Sequence, residues 1–362
     1  MEPTRAIHLV GSLPPDIVTV EQGMRFFLDH AGAHLRGLLP SGENGRRGLY
    51  VAPMVDGLAT HPALEYVTRG DWSSLTDRPT YRLRRGHSLR DDPLDDYLGY
   101  FRDAQEAWAV FTKLRAEYDR TDLRLQVGLP SPVSFAVIAF NHRLLQYYGR
   151  STEPAGRIWP YYRPVVEATV REAARIHELA GEDVVFQLEI PGETLLSART
   201  PRGLRRLPVA IGARSVSGLA AMIPEGSRIG VHLCFGSLHN NPGARPRSTA
   251  AMVDLTNAIV ERWPAGRKLE FVHIPMADGP HPPLTTDYYA HLRRLALPRQ
   301  TRLIAGIAHE YHPLDEQVRA LALVESAVGH PVDVASVCGL GPRADKDVAR
   351  QAIVRAIDLA TS

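Results

Sequence analysis

The chain is predicted to fold as one α/β domain, a (β/α)8 barrel, and three features of the sequence predict it. Eight short β-type runs alternate with longer helical stretches, the pattern of a parallel sheet flanked by helices. No phosphate-binding glycine-rich turn follows the first run, as an open dinucleotide-binding sheet would need. Eight strands suit a closed barrel better than an open doubly wound sheet, which usually has about five to seven, while the length of 362 residues decides nothing by itself.

The expected strands are Ile7–Pro14, Leu35–Gly45, Leu123–Pro132, Asp183–Glu193, Arg228–Ser237, Lys268–Met276, Thr301–His309 and Val332–Gly341. Most end in glycine, proline or polar residues, which stop a strand and open a connection. Leu35–Gly45 carries the weakest β pattern. Helices are expected at Glu21–Ala31, Tyr97–Tyr118, Tyr162–Ala180, Thr249–Trp263, Leu314–Val328 and Lys346–Ala360. The segment from Tyr50 to Arg90 is rich in Pro, Arg and Asp with little periodicity, and reads as an excursion or lid over one barrel face. Neither internal repeats nor low-complexity tracts are evident.

With 44% hydrophobic and 23% charged residues the chain can bury a large core. Forty-two basic against forty acidic residues leave a net charge of +2, which argues against nucleic acid or an anionic membrane as partner. No apolar run reaches the roughly 18 residues that span a bilayer. The amino terminus lacks a signal peptide's apolar core, so a soluble, cytoplasmic protein is expected. The oligomeric state is not legible. In a reducing compartment, each of the two cysteines is expected to be buried filler or a working ligand.

His232 and Cys234 are two residues apart, so on a strand both side chains point to one face. The pair precedes the Gly236-Ser237 break, at the carboxyl end of a strand, where barrel enzymes build their sites. Cys338 has the same relative place at the eighth strand. One imidazole and two thiolates suit Zn2+, and three protein ligands leave a fourth position for substrate. A thiol entering that position would lose its proton and become a nucleophile. The same residues also fit small buried cysteines and a hydrogen-bonded core histidine. Gln187 and Glu189 share a strand face, and Glu43 sits in a glycine-flanked turn. Both carboxylates fit an ammonium grip, and equally an internal ion pair and plain turn chemistry. His309 and Glu310, ending the seventh strand, are candidates for general acid or base, or for a cap on the barrel.

Taken together, these segments resemble the catalytic barrel of the cobalamin-independent methionine synthase family and its shorter archaeal core-like relatives, within the superfamily that includes uroporphyrinogen decarboxylase. The resemblance is patchwork but spans nearly the whole chain. It implies that Gly11 and Ser12 cradle an amino acid substrate, and that Glu43 of Gly42-Glu43 and Glu189 of Gln187-Leu188-Glu189-Ile190-Pro191 hold its amino group. It implies zinc on His232, Cys234 and Cys338. The family's fourth element, a glutamate on the intervening strand, has no match. Aligned by its distance to Asp278, His273 takes that place, as a metal ligand or as a core or substrate-binding histidine. Glu270 lies three residues earlier, about 10 Å along the strand, too far to serve the same rim.

The expected activity is therefore alkyl transfer, methyl in the first instance, to a small-molecule thiol such as homocysteine from an unspecified donor. A folate donor is not expected, since the chain has no room for the family's second barrel. Two other readings stay open. One is a metal-free lyase or decarboxylase on the same barrel, and the other a non-catalytic amino-acid-binding barrel with a degenerate zinc site.

Overall fold

The computed structural model describes residues 5–44, 48–74, 77–140, 158–236, 242–277 and 283–362. Gly45 to Arg47, Ser237 and Asp278, used in the sequence reading, lie outside the described residues. Ten strands are assigned among them: β1 (Ile7–His8), β2 (Leu38–Pro40), β3 (Leu64–Thr68), β4 (Thr80–Leu83), β5 (Arg124–Pro130), β6 (Val184–Glu189), β7 (Arg228–His232), β8 (Leu269–Pro275), β9 (Arg302–Ala308) and β10 (Asp333–Ser336). Eight of these form one all-parallel sheet in the order β1-β10-β9-β8-β7-β6-β5-β2. Parallel bridges from Ile7 to Leu35 and from Ser12 to Glu43 bring β1 back to the β2 segment and close the ring. Each of the eight expected runs contains one barrel strand.

The ladders are shorter than the runs. β7 stops at His232 and β10 at Ser336, so Cys234 and Cys338 each stand two residues beyond the last paired residue, on the rim itself. Leu233 N still donates to His273 O at 3.0 Å, which carries the extended path of β7 toward Cys234.

Helices surround the sheet: α1 (Val20–Ala31), α2 (Ala52–Gly57), α3 (Tyr100–Glu117), α4 (Pro132–Phe140), α5 (Trp159–Ala180), α6 (Pro191–Arg199), α7 (Arg206–Met222), α8 (Ala250–Glu261), α9 (Thr286–Tyr289), α10 (Leu314–Val328) and α11 (Lys346–Thr361). α1 starts where Thr19 and Gln22 form a reciprocal capping box, and it buries Met24, Phe27 and Leu28 on its inner face. None of the described helices is long and apolar enough to cross a membrane. The Tyr50 to Arg90 segment holds α2 and an antiparallel hairpin, β3 with β4.

Inside the barrel the side chains lie in layers. Val185, Phe271, Ile304 and Ala335 make an apolar floor near the strand starts. Gly230 creates the room, because a Cβ there would overlap the Phe271 ring. Above the floor sits a polar layer that includes His8, Gln126, Gln187 and His273, all buried. His8 packs on Phe271 with ring centroids 4.6 Å apart. Burial, with Arg302 nearby, pushes His8 down to about 3, so the ring is neutral.

The amino end of α3 is capped from another helix. Glu172 of α5, 1% exposed, accepts Phe101 N at 2.8 Å. Burial raises its carboxyl from 4.5 to about 7. Between those values the folded chain keeps a proton that the unfolded chain has lost, so stability falls as pH rises through that window. Glu172→Gln is expected to flatten the fall, by an amount on the order of 3 kcal/mol. Urea unfolding across pH 5 to 8 measures it, and an unchanged slope would contradict the assignment.

Candidate metal centre and its pocket

β7 and β10 deliver His232, Cys234 and Cys338 to one point. Their ligand atoms all lie within 4.8 Å of one another, and the two Sγ atoms are 3.1 Å apart as free thiols. Gly236 N donates to Cys234 Sγ at 3.1 Å. The Cys338 contact and burial push the Cys234 thiol well up, so without a cation it holds its proton. His232 is fully buried, and neither ring nitrogen has a hydrogen-bond partner among the described residues. Glu189 Oε2 stands 3.5 Å from its Nε2. Burial opposes charge on this ring, but Glu189 and then Cys338 outweigh it and raise His232. An orphaned imidazole beside two thiols fits a soft or borderline cation, because a buried polar group is costly unless something binds it.

Behind the centre runs a hydrogen-bonded relay. Gln187 Nε2 donates to Glu189 Oε1 at 2.6 Å and to Val10 O at 2.8 Å. Its Oε1 then faces His8 Nε2 at 2.9 Å, which fixes the proton on that nitrogen of the neutral ring. Gln187 thus orients the Glu189 carboxyl from inside the barrel. Burial is the main cause that raises Glu189 to about 7.

Glu43 reaches the same space from the loop after β2. A Cβ on Gly128 would lie 2.8 Å from Glu43 Oε1 and 3.7 Å from Glu189 Oε1, so the two carboxyl groups share the gap that this glycine leaves in β5. Gly11, at φ 145°, passes under the Glu43 carboxyl in a conformation that glycine tolerates. Ser12 ties the ring closed, with Leu340 N donating to its O at 2.8 Å and Gly341 N to its Oγ at 3.1 Å.

The cavity at this rim is about 160 Å³ and is bordered by Ser12, Glu43, Glu189, Cys234 and Cys338. Tyr50, Val51 and Trp72 of the excursion, with Val137 and Ile138 of α4, supply its apolar wall. The excursion therefore covers the carboxyl rim. Tyr50 (φ 47°) and Trp72 (φ 66°) both adopt left-handed backbone, which bulky residues hold only under constraint from their surroundings. Trp72 Nε1 donates to Asp56 Oδ1 at 3.1 Å, which anchors the indole.

Three expected residues are not part of the His232, Cys234 and Cys338 group, although the His273 ring lies 4.4 Å from that of His232. His273 directs Nε2 to Ser336 O at 3.0 Å and Nδ1 to Leu233 O at 3.3 Å, so both nitrogens face backbone carbonyls. It supports the two rim segments that carry the cysteines. Glu310 accepts Arg343 Nε and Nη2 at 3.1 Å each, a fully buried pair. His309 Nδ1 accepts Tyr311 N at 3.2 Å. Neither His309 nor Glu310 borders the cavity. Glu270 pairs with Arg228 at 2.6 Å and Lys268 at 3.1 Å at the opposite mouth of the barrel. Sequence reasoning missed Tyr50, Trp72 and Arg343, for which the sequence holds no signal. It also missed Gly128, a lone glycine within a strand, which is a signal for close approach.

Fold and site together define a closed (β/α)8 barrel with a His/Cys/Cys group and two carboxyl groups at its carboxyl rim. In fold the chain is similar to a B12-independent methionine synthase from Shewanella sp. W3-18-1, in complex with selenomethionine. That match has a TM-score of 0.61 at 14% identity and covers 99% of this chain and 97% of that one. It is also similar to a methyltransferase from Methanosarcina mazei, with a TM-score of 0.55 at 13% identity, covering 100% of this chain and 95% of that one. At such identities the likeness shows the fold. No protein-family model and no curated protein sequence matches the chain.

Proposed function

We propose that this protein is a zinc-dependent alkyltransferase that methylates a small substrate thiol. The observation that carries the reading is the convergence of His232, Cys234 and Cys338 on one buried point beside a cavity bordered by two carboxyl groups. These three side chains would hold the ion and leave a position open toward the cavity. A zinc ion held there would supply the Lewis acidity that favours the thiolate form of a substrate thiol.

The chain's own residues position the substrate. Glu43 and Glu189 accept hydrogen bonds from a substrate ammonium, and Gln187 holds the second carboxyl in place through the His8 relay. Tyr50, Val51 and Trp72 exclude water from the reacting sulfur. The cavity is well below the ~300 Å³ of typical drug-sized sites, so it suits a substrate the size of a small amino thiol such as homocysteine.

The test is alkyl transfer to homocysteine and related amino thiols from a panel of methyl donors, with and without zinc, and with zinc content measured in parallel. Zinc-dependent loss of free thiol is expected. Full turnover by zinc-free protein would sink the reading and favour a metal-free lyase or decarboxylase.

Gly128→Ala probes the carboxyl pair separately. Its Cβ must displace the Glu43 carboxylate and would press on the Tyr50 ring at 3.2 Å, both ends of side chains, so the barrel folds but the ammonium grip is weakened. We expect roughly ten-fold weaker binding of an amino thiol, the loss of about one charge-assisted hydrogen bond. Calorimetric titration measures it, with a thiol lacking the amino group as control; equal losses for both ligands would contradict the role.

A further inference from the structure

The opposite mouth of the barrel is a second cavity, of about 380 Å³, formed where the strands begin. Arg124, Arg228 and Arg302 are the first residues of β5, β7 and β9, and Arg36 precedes β2; all four border it. Phe271 separates this mouth from the rim site, with the Arg302 guanidinium 5.9 Å from one side of its ring and His8 packed against it inside the barrel.

Positive charge here exceeds its compensation. Asp333 takes both Arg302, at 2.8 Å, and Arg36, at 3.2 Å. Glu270 takes both Arg228 and Lys268. Asp122 is held at 2.7 Å by Arg120, which does not border the cavity. Arg124 is left with no side-chain hydrogen bond or ion pair among the described residues, and its Nε is buried without an acceptor. Four cations thus pair with Asp333 and Glu270, while Arg124 has only the through-space influence of Asp122, which Arg120 already holds. A buried guanidinium nitrogen with no acceptor is a costly arrangement unless an anion completes it. Among the described bordering residues the one ring is the His34 imidazole, with no Phe, Tyr or Trp, whereas the guanidinium forks match phosphate and carboxylate oxygens in pairs.

We propose that this amino-terminal mouth binds a small polyanion, a metabolite bearing two or more phosphate or carboxylate groups, with Arg124 as its central contact. The site is independent of the rim chemistry.

The test is thermal unfolding of the whole protein with millimolar pyrophosphate or citrate, against sodium chloride of matched ionic strength, because general screening must be separated from specific binding. Stabilisation above the chloride control is expected. A stronger response to pyrophosphate assigns a phosphorylated ligand, and a stronger response to citrate assigns a polycarboxylate. Arg124→Gln breaks no ion pair, so it should fold with an unchanged midpoint in chloride and bind the preferred anion roughly ten-fold more weakly. Arg124→Lys, which keeps charge but loses the fork, should fall between, and Arg163→Gln on the exposed face of α5 should behave as wild type. The proposal is overturned by the absence of a response beyond chloride in the wild type, or by equal responses in wild type and Arg124→Gln.

Discussion

Cys234→Ser and Cys338→Ser are each expected to lower thiol alkylation by at least ~10³-fold, the loss of several kcal/mol of metal-assisted activation. A serine hydroxyl is a harder donor than a thiolate and keeps its proton near neutral pH, so it holds zinc poorly. Neither substitution disturbs the barrel ladders, since both residues lie two positions past the last paired residue. Among the described residues the backbone donor facing Cys234 is Gly236 N, and a serine oxygen can accept it. Circular dichroism should therefore match wild type, and unfolding midpoints should match those of zinc-free wild type, while activity and metal content fall together. Activity retained in either variant would remove the mechanism.

The largest expected effect on stability comes from Arg343→Met. This guanidinium is 2% exposed, binds both oxygens of the fully buried Glu310, and donates to Gly339 O at 3.1 Å. Removing it leaves the buried carboxylate with only His309 Nδ1, 3.6 Å away, in place of a bidentate guanidinium, a change that costs about 3–5 kcal/mol. The double variant Arg343→Met with Glu310→Gln should recover much of that loss, because no uncompensated charge remains. Gly339 follows Cys338 directly, and a Cβ on it would overlap Ser12 Oγ, so the pair also fixes the segment that presents the second thiol. Denaturant unfolding of the single and double variants measures the coupling. An Arg343→Met protein as stable as wild type would show that the pair holds nothing in place.

The sequence made the barrel legible because most of the β-type runs end at a glycine, a proline or a polar residue. Gly236 at φ 68° and Pro130 at the end of β5 act this way in the structure. Strand lengths were overestimated because alternation continues along extended chain after the ladder bonds cease, as at Leu233 and Cys234. α4 escaped notice since it is apolar nearly all round and buried, with no polar face to give a period. α6 begins at Pro191, inside the run assigned to the fourth strand, because proline at a first helical turn and proline at a strand end look alike.

At the site, His232, Cys234 and Cys338 could be found because a chain with two thiols offers few alternatives, and their common position relative to strand ends is visible. The role of His273 could not be, since the carbonyls of Leu233 and Ser336 that face it belong to distant rim segments. His309 and Glu310 share that problem. Their strand-end position matches that of active-site residues, and only the approach of Arg343 distinguishes a structural carboxylate from an acid.

The most direct measurement is zinc-edge X-ray absorption on protein reconstituted with one equivalent of zinc. Two sulfur donors at about 2.3 Å and one imidazole nitrogen at about 2.0 Å are expected, with a further light atom that a substrate thiol replaces by a third sulfur. A spectrum without sulfur in the inner shell, or one unchanged by Cys338→Ser, would contradict that coordination.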